Sequence, residues 1–217
     1  MTRRIPLSRD RVLRAAVELA DEHGLEALSM RRLGQELGVE AMSLYNHVKN
    51  KDDLLTGITG LVLGEIELPD DPDWKAALRR HAISAHEVFL AHRWACNLAL
   101  SPGHTPSVSV RRADWILRRL REGGFPPEVT YHAYHAYDAH ILGFTLWQLG
   151  HGIVDREHLK ELAAEFFRTF PPEEYPDMHA HAQQHFDGVG AEEPGAFELV
   201  LDLILDGLER LNEPPRD

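Results

Sequence analysis

Apolar positions recur along nearly the whole chain at spacings of three and four residues, the period of an α-helix. There is no sustained apolar–polar alternation and no Asn-Gly hairpin signal, so the expected fold class is all-α. Val12, Ala16, Leu19 and Ala20 mark a first helix that Ser8 can cap and Gly24 can close. A short second helix, "MRRLGQEL", follows Ser29 and stops at Gly38. A third is expected from about Glu40 to His47. A fourth runs from Asn50 to about Leu68, with Asp53 where a carboxylate meets the positive end of the helix dipole. "PDDPD", residues 69–73, cannot continue a helix comfortably, and it sets the expected boundary between a domain of residues 1–68 and one of residues 69–217.

In the second domain the pattern predicts helices over about 74–92, 107–122, 127–149, 156–170 and 195–211. "WACNLAL" is a short apolar segment between the first two, and residues 171–194, rich in Pro, Gly, His and acidic side chains, read as a loop or a partly ordered segment. In the last helix Phe197, Val200, Leu201, Ile204, Leu208 and Leu211 line one face, while Leu199, Leu203 and Leu205 fall on others. A helix apolar nearly all round must be covered on both sides, by the rest of its own core or by a second copy.

Composition adds limits. One cysteine, Cys96, excludes an intrachain disulfide and suits a reducing compartment. No stretch resembles a signal-peptide core or the roughly 18 apolar residues of a membrane helix, so a soluble, cytoplasmic protein is expected. The formal net charge of -12 is unevenly spread. Residues 1–51 hold nine Arg or Lys and seven Asp or Glu, whereas residues 52–217 hold 14 and 28. An N-terminal end able to approach an anion is joined to an acidic body that is not.

The helix, tight "GVE" turn and helix over residues 29–47 fit a helix-turn-helix, in which the second helix enters the major groove of DNA. The exposed residue types suit that use. Ala41 and Met42 can meet a thymine methyl, Ser43 can donate or accept, and Asn46 can bond adenine. Tyr45, His47 and Lys51 are placed for phosphates, and Arg31 for a guanine or a phosphate. An αα-corner with a polar outer face has the same spacing.

The wording is more specific than the spacing. "GLEALSMRRLGQELGVEAMSLYNHVKNKDDLL", residues 24–55, resembles the DNA-binding domain of the TetR family of transcriptional repressors. "REGGF", 121–125, and "GAEEPGAFELVLDLILDGLERL", 190–211, resemble the family's C-terminal core more loosely. The resemblance implies an N-terminal three-helix domain carrying the helix-turn-helix, and a larger helical domain for ligand binding and dimerisation. It implies that Arg31, Met42, Ser43 and Asn46 read bases, that Tyr45, His47 and Lys51 grip phosphates, and that two helices per subunit form a four-helix bundle across a twofold axis. Its effector cavity would be lined by His81, Ala85, Leu100, Ile116, His132, His135 and Ala139. The expected protein is a homodimeric repressor that binds a palindromic operator and is released by a small molecule.

Family members that hold a magnesium–drug chelate use two histidines and a glutamate. Two of those positions carry Leu100 and Gln148 here, and the other histidine has no counterpart in "LGEIELPDD", so no metal and no cofactor is expected with the effector. Two other readings compete. His132 and His135, with His179, His181 and His185 in "MHAHAQQH", could sense a metal such as zinc, although no cysteine pair accompanies them. "HEVFL", 86–90, lacks the second histidine of H-E-x-x-H. No nucleophile elbow, phosphate loop or dinucleotide fingerprint is present, so an enzyme, such as a helical hydrolase, is not expected.

Overall fold

A computed structural model describes residues 6–101, 106–151, 156–188 and 195–212. Among them are eleven α-helices and no strand: α1 Arg9–His23, α2 Met30–Leu37, α3 Ala41–Leu44, α4 Lys51–Leu63, α5 Trp74–Ala91, α6 Ala95–Leu100, α7 Ser107–Glu122, α8 Pro127–His151, α9 Arg156–Thr169, α10 Pro176–Gly188 and α11 Ala196–Asn212. The caps read from the sequence form. The Ser8 hydroxyl accepts from the Arg11 N–H, Ser29 from Arg32, and Asn50 from Asp53, each satisfying an amide that the first helical turn leaves free.

Three expectations need correction. The third helix is α-helical only over Ala41–Leu44. Beyond it the Tyr45, Asn46 and His47 amides bond three residues back, a tightened 3₁₀-type turn. The fourth helix stops at Leu63, where the amides of Gly64 and Glu65 likewise bond three residues back. Residues 171–194 are not all loop, since α10 occupies Pro176–Gly188. The Tyr175 carbonyl accepts from the His179 amide and Asp177 lies in the first turn, start signals masked by the polar composition around them.

One apolar core runs from α1 through α4 into α5, α7, α8 and α11. Helix α5 packs against α7, α8 and α11, and α4 packs on α1 at one end and on α5, α6 and α7 at the other. Lys75 pairs with Asp206 and Glu209, both at 2.6 Å, and Arg79 pairs with Asp202 at 2.7 Å, fastening α5 to α11. In α11 the inward residues are Phe197, Leu201, Leu205 and Leu208, while Val200 and Leu211 are exposed. The inward face thus takes in Leu205 and leaves out Val200 and Leu211, a phase that apolar residues on every side leave undetermined in the sequence.

Candidate DNA-reading site and helical body

The reading element is short, and its position is enforced from behind. Leu44 and Val48 are buried against Leu28 and Leu33, which anchors α3 and its following turn on the core of the N-terminal domain. Two glycines permit the geometry. Gly38 takes a left-handed conformation (φ 65°) that any side chain would resist. Gly34 faces the backbone so closely that a Cβ would lie 2.9 Å from the Val39 carbonyl and 3.2 Å from the Ala41 amide. Helix α2 therefore meets the start of α3 backbone to backbone.

With Leu44 and Val48 inside, the opposite face turns outward. Met42 is 74% exposed and Tyr45 44% exposed. Arg31, Asn46 and Lys51 are exposed, and Ala41, Ser43 and His47 half-buried. All eight predicted DNA-facing residues lie on or beside α2, α3 and the start of α4.

A brace behind the turn was not anticipated from the sequence. Arg9, the first residue of α1, donates to the His47 carbonyl at 2.9 Å and to both Asp53 carboxylate oxygens at 2.9 and 2.7 Å. Asp53 also accepts the Lys49 amide at 2.8 Å. The guanidinium first, and then that amide, hold the Asp53 carboxyl at about 2, below its ordinary 3.8. Asp53 was expected only to favour the dipole of α4; it also ties the turn to α1. No local signal announces Arg9, whose partners lie 38 and 44 residues away.

In the body, the predicted cavity residues separate. His81, Ala85 and Ile116 are buried together among α5, α7 and α8. His132, His135 and Ala139 are exposed, on the side of α8 opposite Ala133, Tyr137 and Ile141, and Leu100 is 52% exposed. These four do not share a cavity with the buried three within the chain. Four buried side chains that the sequence did not single out are Tyr137, Arg112, His86 and His140. Tyr137 bonds His81, His86 bonds Thr145 at 2.8 Å, and His86 and His140 both stack on Phe197. Burial holds all three histidines, His81, His86 and His140, below the ordinary imidazole value, with Arg112 a secondary cause at His81. Cys96 is buried and its thiol pushed up to about 12, far from a nucleophile's range.

Among the described residues no three His, Cys, Asp or Glu side chains gather as a metal site would require; the His185 side chain falls outside them. No described helix is long and apolar enough to cross a membrane.

An exposed recognition element on a braced three-helix unit, carried by a larger helical body, defines a helix-turn-helix DNA-binding regulator. Residues 12–58 match the family described as bacterial regulatory proteins, tetR family, and residues 68–211 match the tetracyclin repressor-like C-terminal domain. An HTH-type transcriptional regulator of Saccharopolyspora erythraea is 36% identical over 121 residues, 55% of this chain and 51% of that protein, so the match spans about half the length of that relative. The tetracycline repressor protein class C of Escherichia coli is 30% identical over 216 residues, 97% of this chain and 94% of the other. The Streptomyces coelicolor TetR family protein ActR, solved in complex with actinorhodin, superposes with a TM-score of 0.73 at 28% identity, over 97% of this chain and all of its own. The chain belongs to the TetR family of transcriptional regulators.

Proposed function

We propose that the protein is a ligand-responsive repressor that binds a near-palindromic operator as a homodimer and leaves it when a small molecule occupies the body. The observation that carries this reading is the outward face of α3, with Met42 and Tyr45 open to solvent while Leu44 and Val48 hold the backbone down. Met42, Ser43 and Asn46 read base edges with Ala41 beside them, Tyr45, His47 and Lys51 take phosphates, and Arg31 reaches from the preceding helix.

A second copy is supported by apolar side chains that face solvent on α8 and α11. Leu199 and Leu203 on α11 are 64% and 61% exposed, and Trp147 on α8 is 50% exposed. His132, His135 and Ala139 lie along the same outward side of α8, which gives them a role between subunits. Two recognition elements one DNA turn apart, roughly 34–36 Å, then read the two half-sites. The complex of ActR with actinorhodin supports a small-molecule effector, and the buried His81, Ala85 and Ile116 fit its pocket. Such an effector works by binding the two DNA-spacing conformations with different affinity. The protein acts in the cytoplasm, where its DNA is.

The test is fluorescence anisotropy with DNA taken from beside the protein's own gene. Salt-sensitive binding is expected, with Lys51→Ala weakening all sequences alike and Asn46→Ala altering sequence preference. Absence of salt-sensitive binding at any concentration refutes the repressor reading, and the reverse pattern in the two variants refutes the division of roles.

A further inference from the structure

Three buried side-chain nitrogens among the described residues have no partner: His81 Nε2, Arg112 Nη1 and Arg119 Nε, the last on a guanidinium whose other nitrogens already meet the Asp71 carbonyl, Asp70 and Glu122. His81 on α5 is fully buried, and its Nδ1 lies 2.6 Å from the Tyr137 hydroxyl on α8. That hydroxyl has one proton, which it donates to the Leu78 carbonyl at 2.7 Å. Its oxygen therefore accepts from His81, and the imidazole proton resides on Nδ1. The other nitrogen, Nε2, is left as a bare acceptor, buried and unpaired. Arg112 on α7 is 9% exposed; its Nη2 donates to the Asp138 carboxylate at 2.6 Å, and its Nη1 has no partner.

Apart from Arg119 Nε, one acceptor and one donor are thus unsatisfied among the same three packed helices. Each such group is costly in an apolar interior, and a guanidinium N–H more so. The His81 ring lies against the Trp115 indole, centroids 5.0 Å apart and planes 27° from parallel, with the Tyr137 ring at 5.8 Å and 31°. These rings define a flat lining. Arg112 is already neutralised by Asp138, so a second buried carboxylate there would be repelled and expensively desolvated. A neutral acceptor oxygen suits Nη1 better.

We propose that His81 Nε2 and Arg112 Nη1 are the two polar contacts of the effector site, and that the effector is a flat aromatic molecule bearing a hydroxyl and a neutral carbonyl oxygen. The hydroxyl donates to Nε2 and the carbonyl accepts from Nη1. Because the rings are closely packed, the molecule enters as a wedge between α7 and its neighbours. Pro106, at the start of α7, lies over Gly60 of α4, and α7 packs along α4, so a displaced α7 presses on the helix that leads to the DNA-reading tip. The inference rests on the repressor reading.

The experiment uses the full-length protein on its operator, with 2-hydroxyanthraquinone as probe and two relatives as controls: 2-methoxyanthraquinone, which has no donor, and 2-anthrol, which has no carbonyl. The hydroxyquinone should release the operator, and each control should need about tenfold more, the worth of one hydrogen bond. His81→Phe and Arg112→Met should each lose response to the hydroxyquinone by about tenfold, read against that variant's own operator affinity without the compound. A 15N-labelled histidine spectrum should show His81 as the Nδ1–H form, with Nε2 shifting on addition of the probe. Equal potency of the three compounds, or a wild type that holds its operator in saturating hydroxyquinone, overturns the inference while leaving the repressor reading intact. Unchanged response in both variants means that the two atoms serve a buried water only, which also overturns it. Should either variant fail to fold, the three-compound comparison and the histidine spectrum decide alone. A protein that binds no DNA fails at the earlier step.

Discussion

The Arg9–Asp53 brace makes a prediction that runs against simple electrostatics. Asp53 sits at the start of α4, beside the surface proposed to meet phosphates, so Asp53→Asn removes a negative charge from near the DNA. Charge alone says that the variant should bind DNA more tightly. The brace says the opposite, because Asp53 is what Arg9 uses to hold the turn carrying His47 and Lys49. A carboxyl held at about 2 instead of 3.8 is worth about 2.4 kcal/mol at face value. The pair is partly open, with Arg9 46% and Asp53 23% exposed, so solvent screening reduces that to about 1 kcal/mol. If the turn is loose in the free protein, each protomer spends that amount to order it on binding. In the proposed dimer two protomers per operator give about 2 kcal/mol, a loss of roughly 30-fold in operator affinity.

The assay is operator anisotropy across a salt series, with Arg9→Met beside Asp53→Asn. Both should weaken binding to a similar extent. The slope of log affinity against log salt should not change for Arg9→Met, because Arg9 is engaged with protein. An arginine that grips a phosphate would lower the slope by about 1. Tighter binding by Asp53→Asn, or a reduced slope in Arg9→Met, refutes the brace. The sign with pH also follows: the Asp53 carboxyl is lower in the folded state, so its contribution is present above about 3.8 and is lost as pH falls towards 2.

Gly34→Ala drives a Cβ to within 2.9 Å of the Val39 carbonyl and should cost about 1–3 kcal/mol in urea unfolding, with operator affinity reduced; an unchanged midpoint would show that α2 and α3 can separate freely. Leu203→Glu sets a charge on the exposed side of α11, which should convert the proposed dimer to monomer in sedimentation at micromolar concentration and abolish cooperative operator binding; a variant that stays dimeric moves the interface elsewhere. His81, His86 and His140 are held neutral by burial, so below the ordinary value of 6.5 the unfolded chain binds protons that the folded chain does not. Stability should therefore fall as pH drops below 6.5, by about 1.4 kcal/mol per pH unit for each histidine that stays neutral; a flat urea midpoint between pH 7 and 5 contradicts this.

How much was legible in the sequence depended on how local the cause was. Ser8, Ser29 and Asn50 cap their helices through bonds spanning three residues, so their role is written beside them. Which side of the helix-turn-helix faces outward was equally readable, because Leu33, Leu44 and Val48 fix which side of a short amphipathic element is buried. In α8 that handle fails. Histidines, aromatics and aliphatics fall on every side of Pro127–His151, and two arcs compete for the core. His132, His135 and Ala139 make one consistent face, and Ala133, Tyr137, His140 and Ile141 make another. The contest is settled from α5 and α7, through the Tyr137–His81 and Arg112–Asp138 bonds, neither of which has a sequence period.

The same distinction separates what holds the two parts of the protein together. His92, just after α5, contacts Asp21 of α1 at 2.9 Å and Glu65 beyond α4 at 3.3 Å, and the Trp94 indole donates to Asp21 at 2.7 Å. This polar joint ties α1, the helix whose other end carries Arg9, directly to the body. A wedge that moves α7 therefore has two routes to the DNA-reading tip, along α4 and through the α5–α1 joint. The routes differ in kind. Helix α4 contributes packed apolar contacts such as Leu55, Ile58 and Val62, which resist small displacements, whereas the joint depends on aligned hydrogen bonds that weaken steeply with angle. A tilt of α5 of a few degrees would thus spend its first effect on Asp21, and the far end of α1 would move Arg9 and the braced turn together as one rigid piece.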